Sequence, residues 1–282
     1  MNNKDITAVI TSFKSENKIL NCINSLGKDL KIIVIENSHD TKLKEKLEKD
    51  YSNLKCILSD ENLGYAKGNN LGLSLVKTKF ALIINPDAVI VENTINNFLL
   101  TAKLKPEFAI IAPYVQEKSD NINKETTKGI LQVKSVKGFA MFLNLRQFKN
   151  IGYFDENFFI YFEEIDLCKR LIKNNKQIFL DTNIRVNHLG GTSHDNSINY
   201  EMEKSRNWHW MWSSFYFYKK HYGYFLAILK ISPKLISALL KMIFFKFTLN
   251  NEKKDIYQCR FDGILNSILL KKSWYRPNIY KS

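Results

Sequence analysis

Four short, apolar, β-branched runs punctuate the first 90 residues: Ile6–Thr11, Lys31–Glu36, Leu54–Leu58 and Phe80–Ile84. Between them lie segments of helical periodicity, roughly Lys18–Leu26, Lys42–Asp50 and Asn69–Val76. Strands that are apolar along their whole length need cover on both faces, and an alternation with helices supplies it when the strands run parallel. The chain is therefore expected to be α/β, with a parallel sheet and helices on both faces. In an open sheet of this kind ligands bind outside the carboxyl ends of the strands. Those ends are polar here: Thr11-Ser12, Glu36-Asn37-Ser38, Asp60-Glu61-Asn62-Leu63-Gly64 and Asn85-Pro86-Asp87. Any one of them reads equally well as a turn or a helix cap, Ser15 and Ser38 included. Four at the same end of successive strands make a binding crevice.

Beyond residue 100 the pattern thins. Ala109–Pro113 and Gln132–Leu143 read as strands, and the polar stretch Glu117–Lys128 as a loop, either a lid or a surface excursion. Gly138 interrupts the second strand, as a glycine does where backbone approaches a ligand. Four cysteines, Cys22, Cys56, Cys168 and Cys259, stand far apart without a C-x-x-C, so neither a disulfide framework nor a zinc finger is expected, and a reducing compartment is. The polar start, Asn2-Asn3-Lys4-Asp5, lacks the pattern of a signal peptide, which suggests a cytosol-facing protein.

Chemistry concentrates in Phe154–Arg170, F-D-E-N-F-F-I-Y-F-E-E-I-D-L-C-K-R. Glu163, Glu164 and Asp166 open a predicted helix that runs towards Asn174. Acidic residues in a first turn satisfy the helix dipole, and Asp166 is spaced to pair with Arg170, so a purely structural role is available. The flanking Phe158, Phe159, Tyr161 and Phe162 favour another: a carboxylate against apolar walls gains proton affinity, which a general base near neutrality requires. His188 precedes a glycine turn, Leu189-Gly190-Gly191-Thr192-Ser193, and reads as a metal ligand, a phosphate contact or a core imidazole.

Taken in order, V-I-E-N-S-H-D, N-L-G-Y-A-K-G-N-N, N-P-D-A, V-K-G-F-A-M-F-L, the aromatic–acidic segment and H-L-G-G-T-S resemble family-2 glycosyltransferases of the GT-A fold, most closely their rhamnosyltransferase-like branch, over residues 5–195. The resemblance implies a mixed, mostly parallel sheet, and transfer of a sugar from a nucleotide donor to an acceptor hydroxyl with inversion. It puts Thr11, Ser12 and Glu36 at the base and ribose, and Asn62, Gly64, Lys67, Asn69 and Asn85 around the nucleotide. Asp87 and His188 fall at the metal or diphosphate, with Mg²⁺ or Mn²⁺ as the cofactor. Glu164 takes the place of the catalytic base, with Glu163 and Asp166 as rivals. Gly138, Phe139, Tyr161 and Arg170 line the donor and acceptor pocket. Three positions depart from the family pattern: Asn85 replaces the first Asp of Asp-x-Asp, and Glu36 and Glu164 each replace an Asp. A decayed, non-catalytic assembly module is the alternative, and sugar nucleotidyltransfer a further one; the latter wants a glycine-rich loop that Thr11–Ser15 lacks.

The expected boundary lies near residue 200, and the chain beyond it is basic. Residues 201–282 carry 15 Lys and Arg against 5 Asp and Glu, whereas residues 1–200 carry 27 against 23. With 36 Lys to 6 Arg, this charge does not suit nucleic acid, whose readers favour Arg. Ten aromatic residues lie between Trp208 and Phe225, and Tyr224–Phe247 is apolar but interrupted by lysines and Pro233. At about 100° per residue, Lys230, Lys234, Ser237 and Lys241 share a wedge about 60° wide, and Pro233 is placed to start the helix afresh. Such a helix fits the surface of an anionic membrane, or packs on the catalytic domain or a second subunit. The expected protein is peripheral on the inner face of the cell membrane, acting on a saccharide or lipid-linked saccharide of a bacterial surface glycan. Its donor is expected to be deoxythymidine-diphosphate rhamnose or a uridine-diphosphate sugar.

Overall fold

A computed structural model describes residues 1–114, 129–188, 194 and 196–277. The segment expected as a loop or lid at 117–128, and the glycine turn at 189–193, lie outside them. The chain divides into two compact units. The first comprises residues 1–63, 67–154 and 167–195; the second comprises 64–66, 155–166 and everything from Asn196 on.

In the first unit the strands are β1 (Ile6–Ser12), β2 (Lys31–Glu36), β3 (Leu54–Leu58), β4 (Phe80–Ile84), β5 (Ala88–Ile90), β6 (Phe108–Pro113), β7 (Ile130–Gln132), β8 (Ala140–Asn144), β9 (Gln177–Asp181) and β10 (Val186–His188). Eight of them form one sheet in the order β3-β2-β1-β4-β8-β6-β9-β7, and β10 pairs with β5 in a second. β3, β2, β1 and β4 are mutually parallel, while β8 runs antiparallel to β4 and β6, and β7 antiparallel to β9. The sheet is thus mixed and mostly parallel, and its four leading strands end along one edge. β1 and β4 are buried along nearly their whole length, as their continuous apolar runs require.

The helices α1 (Glu16–Leu26), α2 (Thr41–Asp50) and α4 (Thr94–Leu104) belong to this unit, together with most of α3 (Gly64–Ser74) and α5 (Glu163–Lys173). α1 buries Ile19, Cys22, Ile23 and Leu26, an i, i+3, i+4, i+7 stripe. α2 is capped by Asp40, whose carboxylate accepts the Leu43 N–H at 3.0 Å. Phe142 on β8 packs its ring on Phe80, Phe98 and Phe108, with centroids 5.1, 5.1 and 5.7 Å away. α3 begins five residues before the expected Asn69, although Gly64, Gly68 and Gly72 are poor helix formers. Packing explains this. A Cβ on Gly68 would lie 2.7 Å from Thr11 Cγ2, and one on Gly72 would collide with Val9 Cγ1, so the glycines let α3 lie directly on β1.

The single strand expected over Gln132–Leu143 is two. β7 pairs only with β9, whereas β8 lies between β4 and β6, so the intervening Lys134–Phe139 crosses from one part of the sheet to another. The polar residues Lys134, Ser135 and Lys137, with Gly138, mark that crossing.

In the second unit α6 (Asn199–Tyr222), α7 (Tyr224–Phe247) and α8 (Asn251–Ile268) pack together. Gly223, with φ of 88°, turns the chain between α6 and α7. Met211 and Phe215 of α6, Ala227 and Ile231 of α7, and Ile264 of α8 form one buried cluster; Trp208, Trp212 and Cys259 form another. Pro233 does not restart the helix: α7 runs through it. A proline cannot donate to the carbonyl four residues earlier, that of Leu229, and the Ser232 hydroxyl donates to it instead at 3.1 Å. Among the described residues no helix is long and apolar enough to cross a membrane.

Candidate functional site

At the carboxyl edge of the first unit, β1 ends in two buried hydroxyls, Thr11 Oγ1 and Ser12 Oγ, neither of which has a hydrogen-bond partner. Asn85 Oδ1, just past β4, is a third such atom. Buried polar atoms are nearly always satisfied, so three unpartnered ones at one strand edge leave hydrogen-bonding capacity that a ligand could take up. Glu36 is different. Its carboxylate accepts the Ser38 N–H at 3.1 Å, the Ser38 hydroxyl at 2.5 Å and the Asp40 N–H at 2.7 Å. The side chain that the resemblance assigns to the nucleotide is therefore engaged by its own turn. Asn69 is fully buried on α3, and Lys67 faces solvent with its ammonium 3.4 Å from Glu61. Asn62, which is partly buried, precedes the helix. Gly64 opens α3 with a φ of 74° and groups with the second unit.

Asp87 and His188, 101 positions apart, meet because β5 pairs antiparallel with β10 in a register that sets His188 opposite Ala88. His188 Nε2 lies 3.4 Å from Asp87 Oδ1. The imidazole stacks on Phe139, with centroids 4.5 Å apart and planes 8° from parallel, and the Phe139 carbonyl accepts the Asn85 N–H at 2.8 Å. Burial opposes ionisation of Asp87, but the hydrogen bond and charge of His188, with the charge of Lys18, outweigh it and hold the carboxyl below its ordinary value. Among the described residues no group of three or more His, Cys, Asp or Glu is placed to hold a metal ion. Asp87 and His188 nevertheless bring together one carboxylate oxygen and one imidazole nitrogen, donors of the type that suits a hard or borderline divalent cation. Gly138 lies in the turn before β8. Arg170 donates from its guanidinium to the carbonyls of Ile151 at 3.0 Å, Gly152 at 3.4 Å and Tyr153. It clamps the backbone at the start of the aromatic segment.

The second unit holds the carboxylates. Tyr161 and Phe162 both have left-handed backbones, with φ of 71° and 69°. That conformation is costly for bulky side chains and tends to persist where a site demands it. The two residues turn the chain abruptly into α5, which starts at Glu163. Glu163 and Glu164 each bury an oxygen, Oε2, that has no hydrogen-bond partner. Burial, and then the charge of Glu164, push the Glu163 carboxyl well above its ordinary value; burial also raises Glu164. Burial, together with the two glutamates' charge, pushes the Tyr161 phenol up to about 12, against the opposing effect of Arg206.

Asp166 differs from its neighbours. Its fully buried carboxylate lies 2.7 Å from Lys220 Nζ and 2.9 Å from His221 Nε2, both on α6, and Lys220 also reaches Asp155 at 2.7 Å. Beside Tyr161, a cavity of about 370 Å³ is lined by Glu203, Arg206, Asn207, Trp210 and Arg260. The first four recur at i, i+3, i+4 and i+7 and so share one face of α6. Of these, only Trp210 falls in the aromatic run read from the sequence; Glu203, Arg206 and Asn207 precede it, and Arg260 lies on α8. Trp210 is partly exposed and meets Tyr161 edge-on, with centroids 5.1 Å apart.

A family model for Glycosyl transferase family 2 matches residues 7–170. The chain is 28% identical to the low-salt glycan biosynthesis hexosyltransferase Agl10 of Haloferax volcanii over 198 residues, 62% of this chain and 64% of that protein. It is 24% identical to the rhamnosyltransferase WbbL of Escherichia coli over 188 residues, 55% of this chain and 70% of that one. The match thus spans a little under two thirds of the length of Agl10. Among solved structures, the mannosyltransferase PcManGT of Pyrobaculum calidifontis, determined with GDP-Man and Mn²⁺, superposes with a TM-score of 0.59 at 10% identity, over 96% of this chain and 89% of that one. Residues 1–349 of S. aureus TarS, determined with UDP-GlcNAc, give 0.50 at 14% identity, over 98% and 94%. These likenesses bear on the fold, which is the mixed GT-A sheet expected from the motifs. With the family match covering more than half of its length, and a sheet whose parallel strands end on one polar edge, the chain belongs to glycosyl transferase family 2.

Proposed function

We propose that the protein transfers a sugar, with inversion, from a nucleoside-diphosphate donor to a hydroxyl of a saccharide acceptor, with Glu164 as the base. The observation that carries this reading is the pair Glu163–Glu164: adjacent, buried, raised in proton affinity, and each with an orphaned oxygen. Two such adjacent carboxylates do not both ionise readily, so the pair shares a proton and leaves one carboxylate open to receive another, the role that the resemblance gives to Glu164. In the reaction the acceptor oxygen bonds to the anomeric carbon while the bond from that carbon to the diphosphate oxygen breaks. The acceptor's proton passes to Glu164, and the nucleoside diphosphate leaves. One displacement without a covalent intermediate inverts the anomeric centre. Asp166 serves as an anchor in this scheme, because Lys220 and His221 already hold its carboxylate.

Thr11, Ser12 and Asn85 offer the unsatisfied atoms that a nucleotide would pair. Asp87 and His188 would hold a Mg²⁺ or Mn²⁺, which when bound neutralises charge on the departing diphosphate. The cavity beside Tyr161 suits the acceptor: Trp210 offers an aromatic face for a sugar ring, and Arg206 and Arg260 offer cations for a phosphate-linked saccharide. The relatives support nucleotide-sugar chemistry but differ in sugar. Of the two donors favoured by sequence, deoxythymidine-diphosphate rhamnose accords with the resemblance to WbbL, and a uridine-diphosphate sugar with TarS.

A donor panel tests the proposal: binding and hydrolysis of deoxythymidine-diphosphate rhamnose, uridine-diphosphate sugars and guanosine-diphosphate mannose by the purified chain, with and without Mn²⁺. Selective binding of one donor, strengthened by the metal and abolished in Asp87→Ala, is expected. Failure to bind any of them with metal present would favour a decayed, non-catalytic module.

A further inference from the structure

The helix α7 buries Ala227, Ile231 and Ala238 along a narrow stripe, with Ile228 and Leu235 partly buried against the same cluster of α6 and α8 side chains. The opposite side is apolar as well. Phe225, Leu229, Ile236, Leu240, Phe244 and Phe247 fall within an arc of about 100° centred opposite the packed stripe. They stand open to solvent: Phe225 is 84% exposed, Leu229 67%, Leu240 61% and Phe247 82%. A 24-residue helix that carries a second apolar face on the side away from its packing departs from the ordinary pattern of a surface helix, whose outward side is polar.

Between the packed stripe and the open arc lies the lysine wedge. The ammonium of Lys230 sits 5.5 Å from the centre of the Tyr218 ring on α6, and that of Lys241 lies 5.2 Å from the Tyr257 ring on α8. Their stems are thus held at the border of the apolar face, with Lys234 in the same row. Across its whole length α7 carries four lysines and no carboxylate. A second copy of this face would bring more lysines and no acid to meet them. A surface of anionic headgroups over hydrocarbon complements both features at once.

We infer that α7 is an in-plane membrane-docking helix: its apolar arc enters the interface of an anionic bilayer while Lys230, Lys234 and Lys241 contact the headgroups. The helix lies on the membrane and does not cross it, consistent with its lysines and with the absence, among the described residues, of any helix apolar enough to span. Vesicle binding is read without turnover, so its outcome is independent of the sugar chemistry.

The full chain is floated with vesicles of phosphatidylcholine alone and of phosphatidylcholine mixed in equal parts with phosphatidylglycerol. Binding to the mixed vesicles, lost in high salt, is expected. The triple variant Lys230→Glu, Lys234→Glu and Lys241→Glu should bind about a hundredfold more weakly. Leu229→Ser with Leu240→Ser should weaken binding by about tenfold or more, since both side chains face away from the packed stripe. Circular dichroism and thermal unfolding of each variant separate lost docking from lost fold. In Phe247→Trp, emission quenched by brominated lipid provides a readout that leaves the lysines and both leucines in place. Equal recovery on neutral and anionic vesicles would overturn the proposal. So would a wild type that ignores vesicles but forms a dimer which Leu229→Ser with Leu240→Ser dissociates.

Discussion

Replacing Glu163 by Gln should make the protein more stable, and increasingly so as pH rises. In the folded state the Glu163 carboxyl is held well above its ordinary value, chiefly by burial and then by the Glu164 charge. In the unfolded chain it returns to a value of about 4.3. The folded state therefore binds more protons than the unfolded state above that pH, and stability falls as pH rises through the folded value. Glutamine has the shape of the protonated acid and does not titrate, so it escapes that loss. Each tenfold by which folding raises that proton affinity costs about 1.4 kcal/mol once the pH exceeds the folded value, so a gain of about 1–2 kcal/mol is expected at pH 8. For a chain of this size that corresponds to a rise in Tm of roughly 2–8 °C. Thermal unfolding of wild type and Glu163→Gln, followed by circular dichroism at pH 4 and at pH 8, measures it. The two should nearly coincide at the lower pH and separate at the higher. A variant no more stable than wild type at pH 8, or a difference independent of pH, would refute the reasoning that Glu163 is a carboxylate held against its preference.

Other expectations rest on the packing and the unsatisfied groups. Gly68→Ala gains about 1 kcal/mol of helix propensity, but its Cβ would stand 2.7 Å from Thr11 Cγ2; overpacking costs about 1–3 kcal/mol, so urea unfolding should show a net loss. Asp166→Asn removes a buried carboxylate from Lys220 and His221. Breaking such a pair costs about 3–5 kcal/mol, and the low end applies because Lys220 keeps Asp155 at 2.7 Å, which a denaturant midpoint will register. Ser12→Ala deletes a buried hydroxyl that has no protein partner, so stability should change by less than about 0.5 kcal/mol while affinity for the nucleotide, read by calorimetry, falls about tenfold.

The parts of the fold that periodicity controls were legible beforehand. β2, β3 and β4 begin and end where their apolar runs do, and α5 starts at the acidic turn Glu163-Glu164. The start of α3 was hidden, because three glycines speak against a helix and only the contact with β1 explains it. β7 and β8 were read as one strand because a sheet's order is not written in the hydrophobic pattern of its strands. The candidate site residues were drawn from motifs rather than periodicity. Asp87 and His188 are joined by a three-residue pairing too short to read locally, and Lys220 and His221 reach Asp166 from 54 and 55 positions away. Glu36 stands at the expected strand end, and nothing in its sequence signalled that its carboxylate would also accept hydrogen bonds from its own turn. The left-handed backbones of Tyr161 and Phe162 gave no signal, since bulky aromatic residues rarely adopt that conformation.

The central claim, that Glu164 accepts the acceptor's proton, is tested most directly by Glu164→Gln in a single preparation assayed twice. Donor affinity is measured by calorimetry and turnover by release of nucleoside diphosphate. A lost general base lowers kcat by about 100- to 10,000-fold and leaves the donor's Kd unchanged, and this is the result expected. Unchanged turnover in Glu164→Gln would contradict the assignment.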